Sequence, residues 1–164
     1  MNITDELFRL RDEKYKEFHS KLIPNIPPET IIGVRTPVLR KFSKEIFGTP
    51  EAEAFVSVPE KHRYYDEKNL HAMLIEPIKD FDTAMDFCEK FLGIIDNWAT
   101  CDMYSPKAFG KNTSRLEPKI REWMKSGKVY TVRFSMNMAM RYFLGDNFSP
   151  EFMRMIAAIR SDEY

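Results

Sequence analysis

The stretch NWATCDMYSPKAFGKNTSRLEPKIREWMKSGK, residues 97–128, decides the fold. Its apolar periodicity predicts two helices, over 97–105 and 114–126, and a third opens at its end and runs over 128–143. Upstream, the same period predicts helices over 62–76 and 82–93. Starts near 62, 97 and 128 lie 35 and 31 residues apart with two helices in each interval, the period of helical-hairpin repeats such as HEAT. No stretch reads convincingly as a strand. The expected fold is all-α, a single domain over 1–164 built as an α-solenoid of HEAT-like antiparallel helical repeats. Sequence identity between the intervals is poor, so a compact helical bundle is the structural alternative.

Toward the N-terminus, Ile3, Leu7, Leu10, Tyr15, Phe18 and Leu22 predict one amphipathic opening helix with Thr4 as its N-cap. Pro24, Pro27 and Pro28 then impose an extended connector. Thr36-Pro37 pairs a capping hydroxyl with a proline suited to the first turn, Val38, Leu39, Phe42 and Ile46 supply a buried stripe, and Gly48 stops the helix. The same device recurs at Thr49-Pro50 and at Ser149-Pro150, the latter opening a helix over 150–160. Ser161-Asp162-Glu163-Tyr164 resembles the start of another helix. A solenoid lacking its C-terminal repeats is one reading of that end and ordinary fraying is the other.

Composition narrows the function classes. The 164 residues are 43% hydrophobic and 13% aromatic, enough for a core without disulfide staples, which excludes a disordered chain and a disulfide scaffold. Apolar runs such as 91–95 fall far short of the ~18 to 20 residues of a membrane span, and the N-terminus is not a basic-then-apolar leader, so a cytoplasmic location is expected. Cys88 and Cys101 lack CxxC spacing and read as reduced, buried thiols. His19, His62 and His71 show no ligand spacing, and GxxxxGK[ST], GxGxxG and GxSxG are absent, so neither a metal nor an organic cofactor is expected.

The charges are balanced, 25 basic against 25 acidic, which argues mildly against a nucleic-acid partner. They are nonetheless segregated. Residues 51–102 hold five basic and twelve acidic side chains, whereas residues 107–133 hold eight basic and two acidic. The basic stretch, with Lys107, Lys111 and Lys128, is either a local patch for a phosphate backbone or a solvated helix face. Arg35 stands just before a helix N-terminus whose backbone donors suit a phosphate, although a capped helix after a Pro-rich turn explains the same letters.

Trp98 and Asp102 stand four apart, which places indole and carboxylate on one helical face. That pairing suits a ligand that is cationic, planar or oxocarbenium-like. It is equally what a core tryptophan beside a capping or Lys-paired aspartate looks like. Arg133 lies in a strongly apolar helix, where a guanidinium sits in a partly buried ion pair or faces an anion-binding groove, and either role admits Asp102 as its partner.

Four motifs in order, Gly33-Val34-Arg35-Thr36-Pro37, Tyr64-Tyr65-Asp66-Glu67-Lys68, Asp96-Asn97-Trp98 through Asp102, and Val129-Tyr130-Thr131-Val132-Arg133-Phe134, resemble those of the AlkD-type DNA alkylation-repair proteins over nearly the whole chain. The resemblance implies a HEAT-like solenoid whose positively charged concave face holds duplex DNA. It further implies a glycosylase that excises cationic alkylated bases, N3-methyladenine and N7-methylguanine, approached from the backbone side with the base left largely stacked. Carried over by position, Trp98 would contact the deoxyribose, Asp102 would stabilise charge on the sugar and position water, and Arg133 would contact the backbone beside the lesion. Arg35, Lys107, Lys111, Lys128 and Tyr130 complete the expected DNA-contacting set. The implied partner is duplex DNA with alkylated bases, and a monomer without metal or cofactor is expected; the alternatives are a non-catalytic module that binds distorted or branched DNA and a repeat scaffold for a protein partner.

Overall fold

The computed structural model describes residues 2–161, and among them there are ten α-helices, three 3-10 turns and no strand. The helices are α1 (Ile3–Arg9), α2 (Glu13–Ser20), α3 (Thr36–Ile46), α4 (Pro50–Val56), α5 (Tyr65–Ile75), α6 (Phe81–Leu92), α7 (Trp98–Met103), α8 (Thr113–Met124), α9 (Val129–Tyr142) and α10 (Pro150–Ala158). They build an α-solenoid: α3, α5, α7 and α9 pack in succession, α4 and α6 lie against α5, and α8 lies against α9. The hairpin starts fall at Tyr65, Trp98 and Val129. No helix among the described residues is long and apolar enough to cross a membrane.

Local chemistry sets the boundaries. Thr49 caps α4 through the Ala52 amide at 3.3 Å, and Ser149 caps α10 through the Phe152 amide at 3.5 Å, as the hydroxyl-proline pairs predict. Gly48 adopts φ +78°, the left-handed conformation that ends α3 without strain on a side chain. The cap-like pattern at the C-terminus falls largely on Asp162 to Tyr164, which lie outside the described residues.

Four expectations differ from the structure. The opening helix is two helices. Asp12 accepts from the Tyr15 amide at 2.9 Å to start α2, and its own amide donates to the Gly33 carbonyl at 2.9 Å, so the chain must leave the helical path there. Asn2, not Thr4, caps α1; the Thr4 hydroxyl instead donates to Glu67 at 2.5 Å. Thr36 is the first helical residue of α3 and Arg35 occupies the cap position, with no side-chain cap. α5 also begins at Tyr65 instead of 62, because the Glu67 carboxylate accepts from the amides of Arg63 and Tyr64 at 2.8 and 2.9 Å and closes the N-terminus there.

The Pro-rich connector is fastened onto α5 by a buried carboxylate. Asp66 accepts from the amides of Ile32, Gly33 and Val34, at 2.7, 3.2 and 2.7 Å. Burial holds this carboxyl above its ordinary range even against those three donors. Gly33 is required: its φ is +95°, and a Cβ there would meet the Lys16 Cβ at 2.6 Å. The connector's Ile23, Ile26 and Ile31 then form a small core with Tyr65, against which Trp98 packs. A larger core unites α5 to α10, and a second one joins α1, α3, α4 and α5. Cys88 and Cys101 are buried free thiols, and burial pushes the Cys101 thiol up to about 12.

Candidate functional site

The short helix α7 is set in place by side-chain amides. Asn97 is buried and accepts from the Thr100 amide at 2.8 Å, which starts the helix. The Asn97 amide donates to Asp96 and to Thr100 Oγ1, each at 3.0 Å, and the Thr100 hydroxyl donates to Asn69 Oδ1 on α5 at 2.8 Å. Asp96 in turn pairs with Lys68 of α5. A buried, satisfied chain of this kind fixes the rotation of α7 about its axis, and so fixes where Trp98 and Asp102 point.

Trp98 is half-buried. Its indole Nε1 donates to the Leu22 carbonyl at 3.1 Å, so the ring is held against the connector by its polar edge as well as by packing. One turn on, Asp102 is 34% exposed and faces α9. Arg133 donates Nε to Oδ1 at 2.7 Å and Nη2 to Oδ2 at 2.6 Å, a bidentate fork, and is itself 36% exposed. A second α9 residue, Asn137, donates Nδ2 to Oδ1 at 2.8 Å. A carboxylate has about four lone-pair positions, and with three occupied here the open one is on Oδ2. Partial burial raises the Asp102 carboxyl, but the hydrogen bonds from Arg133 and Asn137 and the guanidinium charge outweigh it and hold the group below its ordinary range. The anion is therefore the resting form at neutral pH.

Tyr130 stands one turn before Arg133 on α9. Its hydroxyl accepts from Asn25 Nδ2 at 3.4 Å, the same amide that donates to the Asp96 carbonyl at 2.8 Å, and its carbonyl receives the Cys101 thiol at 3.4 Å. Connector, α7 and α9 thus meet around Trp98, Asp102, Tyr130 and Arg133. Arg35 is engaged elsewhere, paired with Asp12 at 2.7 Å and lying over the Tyr15 ring at 5.4 Å. Lys107 and Lys111 are exposed on the connector between α7 and α8, and Lys128 is exposed at the α9 N-cap.

The segregated charge has a structural explanation. Arg115 pairs with Asp82 at 2.5 Å, Lys119 with Glu89 at 2.7 Å and Arg133 with Asp102, so the basic stretch is matched to the acidic one across helix neighbours. Arg121 is held by Glu117 and Glu151. Lys107, Lys111, Lys125 and Lys128 remain without an ion pair among the described residues.

Sequence reasoning missed Asn137, although its position four residues after Arg133 puts both on one face of α9. It also missed Asn69 and Thr100, whose union is long-range and has no local signature. No group of three or more His, Cys, Asp or Glu among the described residues is arranged to hold a metal.

A family profile described as DNA alkylation repair enzyme matches residues 3–163. Comparison with curated proteins and with solved structures returns no match.

Proposed function

The chain belongs to the DNA alkylation repair enzyme family, and on that footing we propose that it is a DNA N-glycosylase excising cationic alkylated purines such as N3-methyladenine and N7-methylguanine. The observation that carries this reading is the convergence of an ionised, partly exposed carboxylate, Asp102, with Arg133 beside it and Trp98 one turn away.

The chemistry asks little of the protein. Alkylation gives the purine a positive charge, so cleavage of the C1′–N bond sends the electron pair to the base, which departs neutral without needing a proton. The positive charge passes to the sugar as an oxocarbenium-like centre, and water then adds to C1′ and releases a proton to solvent. Asp102, held below the ordinary carboxyl range, is a weak base but a dependable anion, suited to stabilising that charge electrostatically. Trp98 supplies a flat wall for the deoxyribose. Arg133 is the phosphate clamp: in the free protein its guanidinium cancels the charge of Asp102, and a backbone phosphate competing for it restores a net negative site at the sugar. Lys107, Lys111, Lys128 and Tyr130 would extend contact along the backbone.

A second reading, a non-catalytic member that binds distorted or branched DNA, is favoured by the bidentate pairing of Arg133 with Asp102, which neutralises the one carboxylate that the chemistry would use. Release of N7-methylguanine from methylated duplex separates the two. The glycosylase should lose on the order of 10²- to 10³-fold in rate with Asp102→Asn while still binding duplex. Salt-sensitive duplex binding without base release by the native chain would leave the binding module.

A further inference from the structure

Asp102 is gripped by two donors of different kinds, and they respond differently to DNA. Arg133 is a cation that a phosphate attracts, whereas the Asn137 amide is neutral, sits one turn further along α9 and has no Coulombic reason to leave. Resting on the glycosylase reading above, we infer that Asn137 is a positioning residue that keeps the Asp102 carboxylate aimed when Arg133 is drawn to the DNA backbone. The geometry supports a division of labour. Asn137 and Arg133 share Oδ1, so departure of the guanidinium leaves that oxygen with one donor and frees Oδ2 entirely. Without Asn137 the same departure would leave a half-buried carboxylate with none of its present donors, free to rotate about χ2 and more easily protonated.

Asn137 also lies in a packed part of α9, with Phe134, Met138 and Ala139 in the core beside it, so its own backbone position is fixed by burial and not by the ion pair. That is what a positioning group needs: a short side chain on a rigid helix, reaching a single oxygen at 2.8 Å.

The test is a carbon-13 titration of the Asp102 carboxyl in the full chain, free and saturated with unmodified duplex, for the native protein, Asn137→Leu and Asn137→Gln. In the free protein Asn137→Leu should raise the titration midpoint by only a few tenths of a unit, because Arg133 still holds both oxygens. With duplex bound, the same variant should titrate about one unit or more above the native complex, while Asn137→Gln, which keeps an amide donor, should restore most of the difference. Excision of N7-methylguanine should show the matching effect, an acid limb of kcat displaced upward by the same amount with KM unchanged. An Asp102 carboxyl that titrates identically in the native and Asn137→Leu duplex complexes overturns the inference. So does a carboxyl that duplex does not perturb, since the inference requires Arg133 to be drawn away. Normal titration behaviour with no base release sinks the glycosylase reading alone.

Discussion

Acidification should destabilise this protein through a pair of histidines, one buried and one half-buried. His62 Nε2 lies 2.8 Å from His71 Nδ1; His71 is fully buried and stacked on Phe91 at 4.9 Å, and His62 is stacked on Phe55 at 4.2 Å. Burial lowers His71 to about 3, with the neighbouring His62 adding to the effect, and lowers His62 to about 4 against the opposing pull of Glu67 and Glu60. Both values lie below that of an unfolded histidine, near 6.5, so the unfolded chain takes up protons first and stability falls as pH drops from about 6.5 toward 4. From pH 7 to pH 5 the linkage is worth about 2 kcal/mol for His71 and, discounted for partial exposure, about 1 kcal/mol for His62. A total of about 3 kcal/mol corresponds to a urea midpoint lower by about 1.5 M at pH 5, for a slope of about 2 kcal/mol/M. His19, also lowered by burial, acts in the same direction, and Asp66, raised by burial, acts in the opposite one. The pair is therefore isolated by difference, with urea melts of the native chain and of His62→Gln/His71→Leu at both pH values. Equal losses in the two proteins would refute the assignment.

Gly33→Ala combines an unfavourable φ with a collision at Lys16, and should cost about 3 kcal/mol, lowering the melting temperature by about 6 to 12 °C in a calorimetric scan; a loss under 1 °C would mean the connector adapts freely. Duplex binding should distinguish committed from uncommitted cations. Lys128→Ala should make the slope of log K against log salt shallower by about 0.9, whereas Arg115→Ala, which removes a cation already held by Asp82, should leave it unchanged. Equal effects of the two substitutions would show that the ion pairs open on binding.

What was legible in the sequence was what depends on near neighbours. Thr49-Pro50 and Ser149-Pro150 announced their helices because cap and first turn lie within three residues. Thr4 and Thr36 mislead because a hydroxyl at a plausible position says nothing about a competitor: Glu67, more than sixty residues away, claims the first, and the backbone starts α3 a residue early at the second. Trp98 and Asp102 could be paired from their spacing, and Arg133 could be offered to Asp102 because a guanidinium in an apolar helix needs an anion. The histidine pair has no ligand spacing to announce it, since His62 closes a 3-10 turn, His71 lies inside α5, and the helix start between them sets their approach.

Charge segregation was the most ambiguous feature, and its resolution bears on function. An acidic run followed by a basic run invites the picture of a cationic surface, yet the same pattern arises when successive hairpins of a solenoid neutralise each other, as Asp82 with Arg115 and Glu89 with Lys119 do. Pairs of that kind are more than a third exposed on at least one side, and contribute little to stability. Asp102 with Arg133 belongs to the same series by register but differs in kind: it is bidentate, it has a second donor in Asn137, and it lies beside a half-buried tryptophan held by the Leu22 carbonyl. An ion pair that served only to join α7 to α9 would not need the third donor, because the Arg133 fork already supplies each oxygen with a partner. A carboxylate that must stay oriented after its cation is taken does need one. On the proposed reading, the donor that Asn137 adds beyond the Arg133 fork is what would distinguish a working carboxylate from a strut between α7 and α9.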